Sequence, residues 1–215
     1  MREMINILVA GALLCGSAAF AGETRSLSAF DKLEVSHGIE IHIGCGAEAK
    51  VVLDGSAVDL ADLKTTVEGG TLKIRRGNNV VLSKHDTVTI ELTAPNPLIK
   101  IDANTGVGAT VDACAVSTDH IAIALSTGAV MDIAGHTGRA SIDANTGARL
   151  APVKGKRFDV GDVTIDANTG ASIALCKVEH IEGKSALGSS ITAESVSDNR
   201  IRSNLGASFS LESCH

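Results

Sequence analysis

The hexapeptide Ile101-Asp102-Ala103-Asn104-Thr105-Gly106 recurs unchanged at residues 142–147 and again at residues 165–170. A degenerate copy, Ile-Ala-Leu-Ser-Thr-Gly, occupies residues 123–128, and two shorter echoes end at Gly188 and Gly206. Anchored on Gly106, Gly128, Gly147, Gly170, Gly188 and Gly206, the spacings are 22, 19, 23, 18 and 18 residues. A unit of that length cannot bury an apolar face by itself and must stack on its neighbours.

Side chains alternate around every anchor. Three residues after it stand Ala109, Met131, Leu150, Ile173, Ile191 and Phe209, and five after it Val111, Ile133, Pro152, Leu175, Ala193 and Leu211. Mostly small or polar residues lie between, from Thr110 to Ser210. Five residues before the anchors, Ile101, Ile123, Ile142, Ile165, Gly183 and Ile201 are again mostly apolar. A period of two is the signature of a strand with one buried face. Each repeat therefore reads as two short strands joined by a turn, with glycine supplying a positive φ. Asn104, Asn145, Asn168 and Asn204 stand two before their glycines, where they can bond local backbone or the Asn of the next coil. Asn145 and Asn168 are expected to bond each other. The expected fold is all-β, a parallel β-helix with coils of 18–23 residues. A sandwich of antiparallel hairpins would also alternate, but it does not require identical turns at one-coil spacing.

Composition narrows the function. Trp and Tyr are absent and Phe occurs four times, which argues against aromatic stacking platforms for sugars or single-stranded nucleic acid. With 19 Lys+Arg against 25 Asp+Glu, the net charge of −6 offers no field for a polyanion, so no nucleic-acid partner is expected. Residues 1–21 have the secretory pattern: Arg2, a nearly apolar stretch over 5–14, and Ala19-Phe20-Ala21 before Gly22. Leu14 before Cys15 does not suit a lipidation site. No later segment is long and apolar enough for a spanning helix. The expected location is periplasmic or extracellular. Beyond the leader, Cys45, Cys114, Cys176 and Cys214 can form disulfides there. Cys176 is expected on the outer face, two coils or about 10 Å from Cys214. A bridge needs Cα atoms within about 7 Å. Cys176–Cys214 and Cys176–Cys114 are therefore not expected, and Cys45–Cys114 is the least excluded pair.

Residues 28–95 are less regular. Strands are expected over 30–35, 39–43, 50–53, 71–74 and 87–92, a helical turn over 58–63, and loops at Asn78-Asn79 and Lys84-His85-Asp86. With no Pro/Ser-rich linker, residues 22–215 read as one domain, 28–95 supplying irregular leading coils and 96–215 the regular repeats. The run from Phe30-Asp31-Lys32-Leu33-Glu34-Val35 through Gly38-Ile39-Glu40-Ile41-His42-Ile43 resembles the GIN-domain family of exported bacterial adhesin heads. Gly70-Thr71-Leu72-Lys73-Ile74 and Val88-Thr89-Ile90-Glu91-Leu92-Thr93-Ala94-Pro95 continue the likeness, which spans most of residues 28–211. Glu40 stands where the family's name-giving Asn would be. The resemblance implies a right-handed β-helix with no established catalytic residues.

Asp102, Asp143 and Asp166 share one offset, with Ala124 between the first two. Alternation points them outward and makes Asp143 and Asp166 neighbours about 4.8 Å apart. Such a pair is a candidate calcium site, a shared-proton pair, or a solvated acidic edge. His120 and His180 share an offset three coils apart, too far to hold one metal. His37, His42, His120 and His180 all read as isolated surface imidazoles, and Cys214-His215 as at most an adventitious ligand pair. The Thr row at Thr105, Thr127, Thr146 and Thr169 resembles ice-binding solenoids, but those use a broader face. Asn104, Gly106, Gly128, Asn145, Gly147, Asn168, Gly170, Gly188, Asn204 and Gly206 read as turn residues serving the fold. The expected function is a non-enzymatic exported solenoid presenting a surface for adhesion or a cell-envelope ligand, without cofactor. The alternative is a polysaccharide-active, lyase-like enzyme, which requires carboxylates and Arg or Lys converging over one sheet.

Overall fold

The computed structural model describes residues 22–77 and 88–214. The leader expected over 1–21, the two loops expected between 78 and 86, and His215 lie outside the described residues. The leading segment forms β1 (Glu23–Ser26), β2 (Lys32–Ser36), β3 (Ile39–Cys45), β4 (Lys50–Asp54), helix α1 (Ala57–Asp62), β5 (Leu63–Glu68), β6 (Thr71–Arg76) and β7 (Val88–Ala94). The first repeats form β8 (Lys100–Asn104), β9 (Gly108–Val111), β10 (His120–Ser126), β11 (Val130–Ile133) and β12 (Gly135–Ala144). The rest form β13 (Arg149–Pro152), β14 (Phe158–Ala167), β15 (Ser172–Ser185), β16 (Ser190–Ser203) and β17 (Ser208–Leu211). All seventeen belong to one sheet wound into a β-solenoid of about 5 turns.

Parallel pairing decides against the sandwich. Strands that precede the turns stack as β6, β2, β8, β10, β12, β14, β15 and β16. Strands that follow the turns stack as β7, β3, β9, β11, β13, β15, β16 and β17. The register aligns Leu33, Ile101, Ile123, Ile142 and Ile165 in one buried row. Stacking thus converts the period-two pattern into a continuous core.

The leading coils are threaded out of chain order. The β2–β3 coil lies between the β6–β7 coil and the first repeat, because β2 pairs with both β6 and β8 and β3 with both β7 and β9. Antiparallel strands then close this end: β5 lies on β6, β4 on β7, and β1 on β4. Ser56 caps α1, its Oγ accepting from the Asp59 amide at 3.2 Å.

The turns contain two consecutive left-handed residues. Gly147 has φ 72° and Thr146 before it 52°; the other repeat turns match, with Leu187 and Leu205 replacing Thr in the last two. A β-branched residue is rarely found there. A backbone ladder holds the conformation: Gly128 N donates to Thr146 O and Gly147 N to Thr169 O, both at 2.9 Å, and Gly170 N to Leu187 O at 3.0 Å. The Asn ladder expected between Asn145 and Asn168 does not form. Asn145 donates to Asp143 and Asn168 to Asp166, because the carboxylate two residues back is a charged acceptor within reach on the same strand.

The disulfides also correct an expectation. Cys45–Cys114 is bridged, with Cα atoms 5.9 Å apart. Cys176–Cys214 is bridged too, with Cα atoms 5.2 Å apart. Cys176 is fully buried and not on the outer face. Strict alternation fails there, since Leu175 and Cys176 are both buried at a corner of the coil. The in-register distance also fails, since β17 ends at Leu211 and the tail leaves the ladder before Cys214.

Candidate binding face

The strands preceding the turns present their alternate side chains outward. Four residues before each turn glycine this gives an axial row. In spatial order it runs Lys73, Glu34, Asp102, Ala124, Asp143, Asp166, Lys184 and Arg202. Asp143 and Asp166 are direct neighbours in register. Lys184 stands next to them and places its Nζ 2.8 Å from Asp166 Oδ2. That hydrogen bond, with the nearby carboxylate charge, raises the Lys184 pKa. With Asp166 held by Lys184 and Asp143 by Asn145, an entering calcium ion would compete with contacts already made. Among the described residues no three His, Cys, Asp or Glu side chains come together to hold a metal. Asp102 is half-buried beside Glu34; burial raises its pKa, Lys100 opposes this, and the Glu34 charge adds to it.

A second outward row, eight residues before the glycines, holds His120, Arg139, Asp162, His180 and Asp198. His120 and His180 are indeed three strands apart. Asp119 Oδ1 accepts from Arg139 at 3.0 Å and its Oδ2 lies 3.1 Å from His120 Nδ1. The Arg139 bond, then that of His120, lowers the Asp119 pKa. His180 Nδ1 is 2.8 Å from Asp162 Oδ1, and Arg200 pairs with Asp198 at 2.9 Å. The side chains frame shallow depressions of about 390 Å³ near His120 and Arg139 and about 320 Å³ near His180 and Glu182. A third, of about 510 Å³, sits at the corner where Gly138 and Gly161 stack. A Cβ on Gly161 would come within 2.5 Å of Gly138 O, so only glycine permits this close approach.

His120 and His180, each beside a carboxylate, are thus not isolated as expected, and neither is His42. Its Nδ1 lies 2.8 Å from Glu91 Oε2 and its Nε2 3.2 Å from Asp112 Oδ2, while Lys156 reaches Asp112 Oδ1 at 3.2 Å. The carboxylates sit on opposite ring nitrogens, so the imidazole bridges coils and does not share one metal position with both. Sequence order hid this group, because Glu91 and Asp112 are 49 and 70 residues from His42. The spatial threading of β3 between β7 and β9 brings them together. His37 lies in the first turn, at φ 74°, with Ser36 Oγ 2.8 Å from its Nδ1. Among the described residues no carboxylate orients that ring, so a nucleophile–base–acid constellation is incomplete there. Lys184, Glu34 and Lys73 were missed as row members. Lys184 was legible, four before Gly188; the other two depend on the threading.

Residues 29–194 match the family model described as "Putative auto-transporter adhesin, head GIN domain". Comparison with curated proteins finds no match. Among solved structures, a "putative adhesin" from Bacteroides fragilis has a TM-score of 0.65 at 13% identity, covering 89% of this chain and 95% of that one. A "putative lipid binding protein" from Parabacteroides distasonis has a TM-score of 0.47 at 14% identity, covering 91% and 98%. At these identities the likeness is one of fold.

Proposed function

Because the chain belongs to the family of auto-transporter adhesin head GIN domains, we propose that it is a non-enzymatic, exported β-solenoid that offers its outward sheet face to a cell-envelope or extracellular ligand, in adhesion or envelope association. One observation carries the reading. The outward face is a lattice of polar and charged contacts: Arg139–Asp119, His180–Asp162 and Lys184–Asp166 each join neighbouring coils, and Arg200–Asp198 lies along β16, on a stacked frame. Such a surface recognises a partner by charge pattern and gives specificity more than raw affinity. Carboxylates and basic groups do lie together near His180, where His180 is engaged by Asp162 and Arg200 by Asp198. Neither the family nor its fold relatives support the polysaccharide-cleaving alternative. Two disulfides suit an oxidising periplasmic or extracellular compartment.

The test is capture of envelope fractions and glycans by the protein lacking residues 1–21. Binding should fall with rising salt and should weaken in His180→Glu and Arg139→Glu, without change in melting temperature. A glycan shortened by the protein, with loss of that cleavage in Asp162→Asn, would replace this reading by the enzyme.

A further inference from the structure

The two ends of the solenoid are built differently. Antiparallel β5, β4 and β1 close the end that carries the leading coils. At the other end, among the described residues, residues 195–203 of β16 pair only with β15, and β17 only with β16. The core is unfinished there. Val196, Ile201 and Phe209 are half-buried, and Leu205 and Leu211 are 65% and 63% exposed. Among the described residues the tail does not pair with 195–203: the Glu212 amide donates to Ala193 O, and Cys214 is tied back to Cys176. An open strand edge beside exposed apolar side chains is a template for another strand.

The side chains on that edge select the strand. The Ile201 amide donates to Asn199 Oδ1 at 2.9 Å and not to a strand, so it faces the open edge, and by alternation so does the Asn199 amide. Asp198 and Arg200 flank Asn199 with opposite charges. If an identical strand pairs antiparallel about Asn199, Asp198 of each copy stands opposite Arg200 of the other, the favourable cross-strand arrangement. Centring the pair on Arg200 sets Arg200 against itself, and centring it on Ile201 sets Arg200 against Arg202. Of these three centres charge favours Asn199, and the pair it gives is two-fold symmetric.

We propose that the protein dimerises end to end, β16 pairing antiparallel with β16 of a second copy about Asn199, so that the two open cores close on each other. The dimer presents two copies of the outward face, and it stands or falls independently of what that face binds.

Light scattering coupled to size exclusion, run up to about 100 μM, where weak symmetric contacts are populated, should give twice the chain mass for the protein lacking residues 1–21. Asp198→Arg and Arg200→Asp each place like charges across the two-fold axis, and each alone should run as a monomer. Mixed in equal amounts, they restore opposite charges in both pairings and should form a heterodimer. Both positions are at the surface, and melting curves verify that each variant folds. Leu205→Glu, at an exposed turn, should also weaken the dimer. A wild-type monomer at every concentration overturns the proposal. So do single charge variants that remain dimeric, or a mixture that stays monomeric.

Discussion

A carboxyl group that loses water without gaining a hydrogen-bond donor holds its proton more tightly. Asp102 is in that position: burial raises its pKa, with Lys100 opposing and Glu34 adding. The folded state therefore binds this proton more strongly than the unfolded chain. Its contribution disfavours folding once the pH exceeds the folded pKa, and that penalty disappears as the pH falls below the unfolded value of about 3.9. Asp102→Asn should accordingly melt higher than wild type at neutral pH, and the difference should close as the pH falls toward about 3. Melting curves across that range check it; a difference that widens on acidification contradicts the assignment. The turn glycines make a separate residue-scale case. Gly147 has φ 72° and nothing lies within 4 Å of where its Cβ would be. A side chain there meets open space, so any loss is backbone strain, about 1–2 kcal/mol for an ordinary residue. Gly147→Val should lose at least this much in urea unfolding, and Gly147→Asn less, because Asn tolerates the left-handed region. Equal losses would remove strain as the explanation.

Between elements, a buried polar contact replaces an apolar one in the last coils. Ser185 and Ser189 occupy positions that hold Ala144 and Ala148, then Ala167 and Ala171, in the preceding coils. Their hydroxyls lie 2.9 Å apart, and Ser189 Oγ also reaches Ala167 O at 2.9 Å and Ala186 O at 2.8 Å. Removing Ser189 alone leaves the Ser185 hydroxyl with a long 3.5 Å contact, at about 1–3 kcal/mol for a buried group left unpaired. Removing both restores the Ala pair of the earlier coils. Ser189→Ala should thus lower stability while the double variant returns close to wild type, measured as a double-mutant cycle in urea. Additive losses would show that the pair is not a unit. The same coils mark how far the sequence can be read. Repeated glycines and alternation locate β8 to β17, because stacking turns a local pattern directly into register. They do not reveal that β2–β3 sits between β6–β7 and β8–β9, since nothing in Phe30 to Pro95 repeats. Short β1 and Lys64-Thr65-Thr66 of β5 alternate too weakly to announce strands. The Asp row was legible from its offset, whereas its partners were only partly so. Lys184 follows from the same offset, Glu34 and Lys73 from threading, and the Asn145–Asp143 contact from a competition that a row of identical asparagines conceals.

Across the whole molecule, the disulfides tie parts of the stack that differ in exposure. Cys45–Cys114 spans 69 residues and locks the misordered leading coil to the first repeat, beside the His42–Asp112 bridge. Cys176–Cys214 spans 38 residues and fastens the tail to a buried position in the third-last strand. In the chain-entropy account, loops of these lengths each restrict the unfolded chain by roughly 4 kcal/mol. Similar entropies need not give similar consequences. Opening Cys45–Cys114 releases a coil threaded between two others, so its loss should unfold the leading half with the core. Opening Cys176–Cys214 releases residues 212–214, which lie beyond the last strand, and should leave most of the ladder intact. Cys45→Ser/Cys114→Ser should therefore lower the melting temperature of the whole transition. Cys176→Ser/Cys214→Ser should lower it less and first expose the chain after Leu211 to protease. Non-reducing peptide mapping must recover both pairs for this comparison to hold. If it does, and the tail variant proves the more damaging of the two, then the C-terminal coil, and not the threaded leading coil, is where the solenoid begins to come apart.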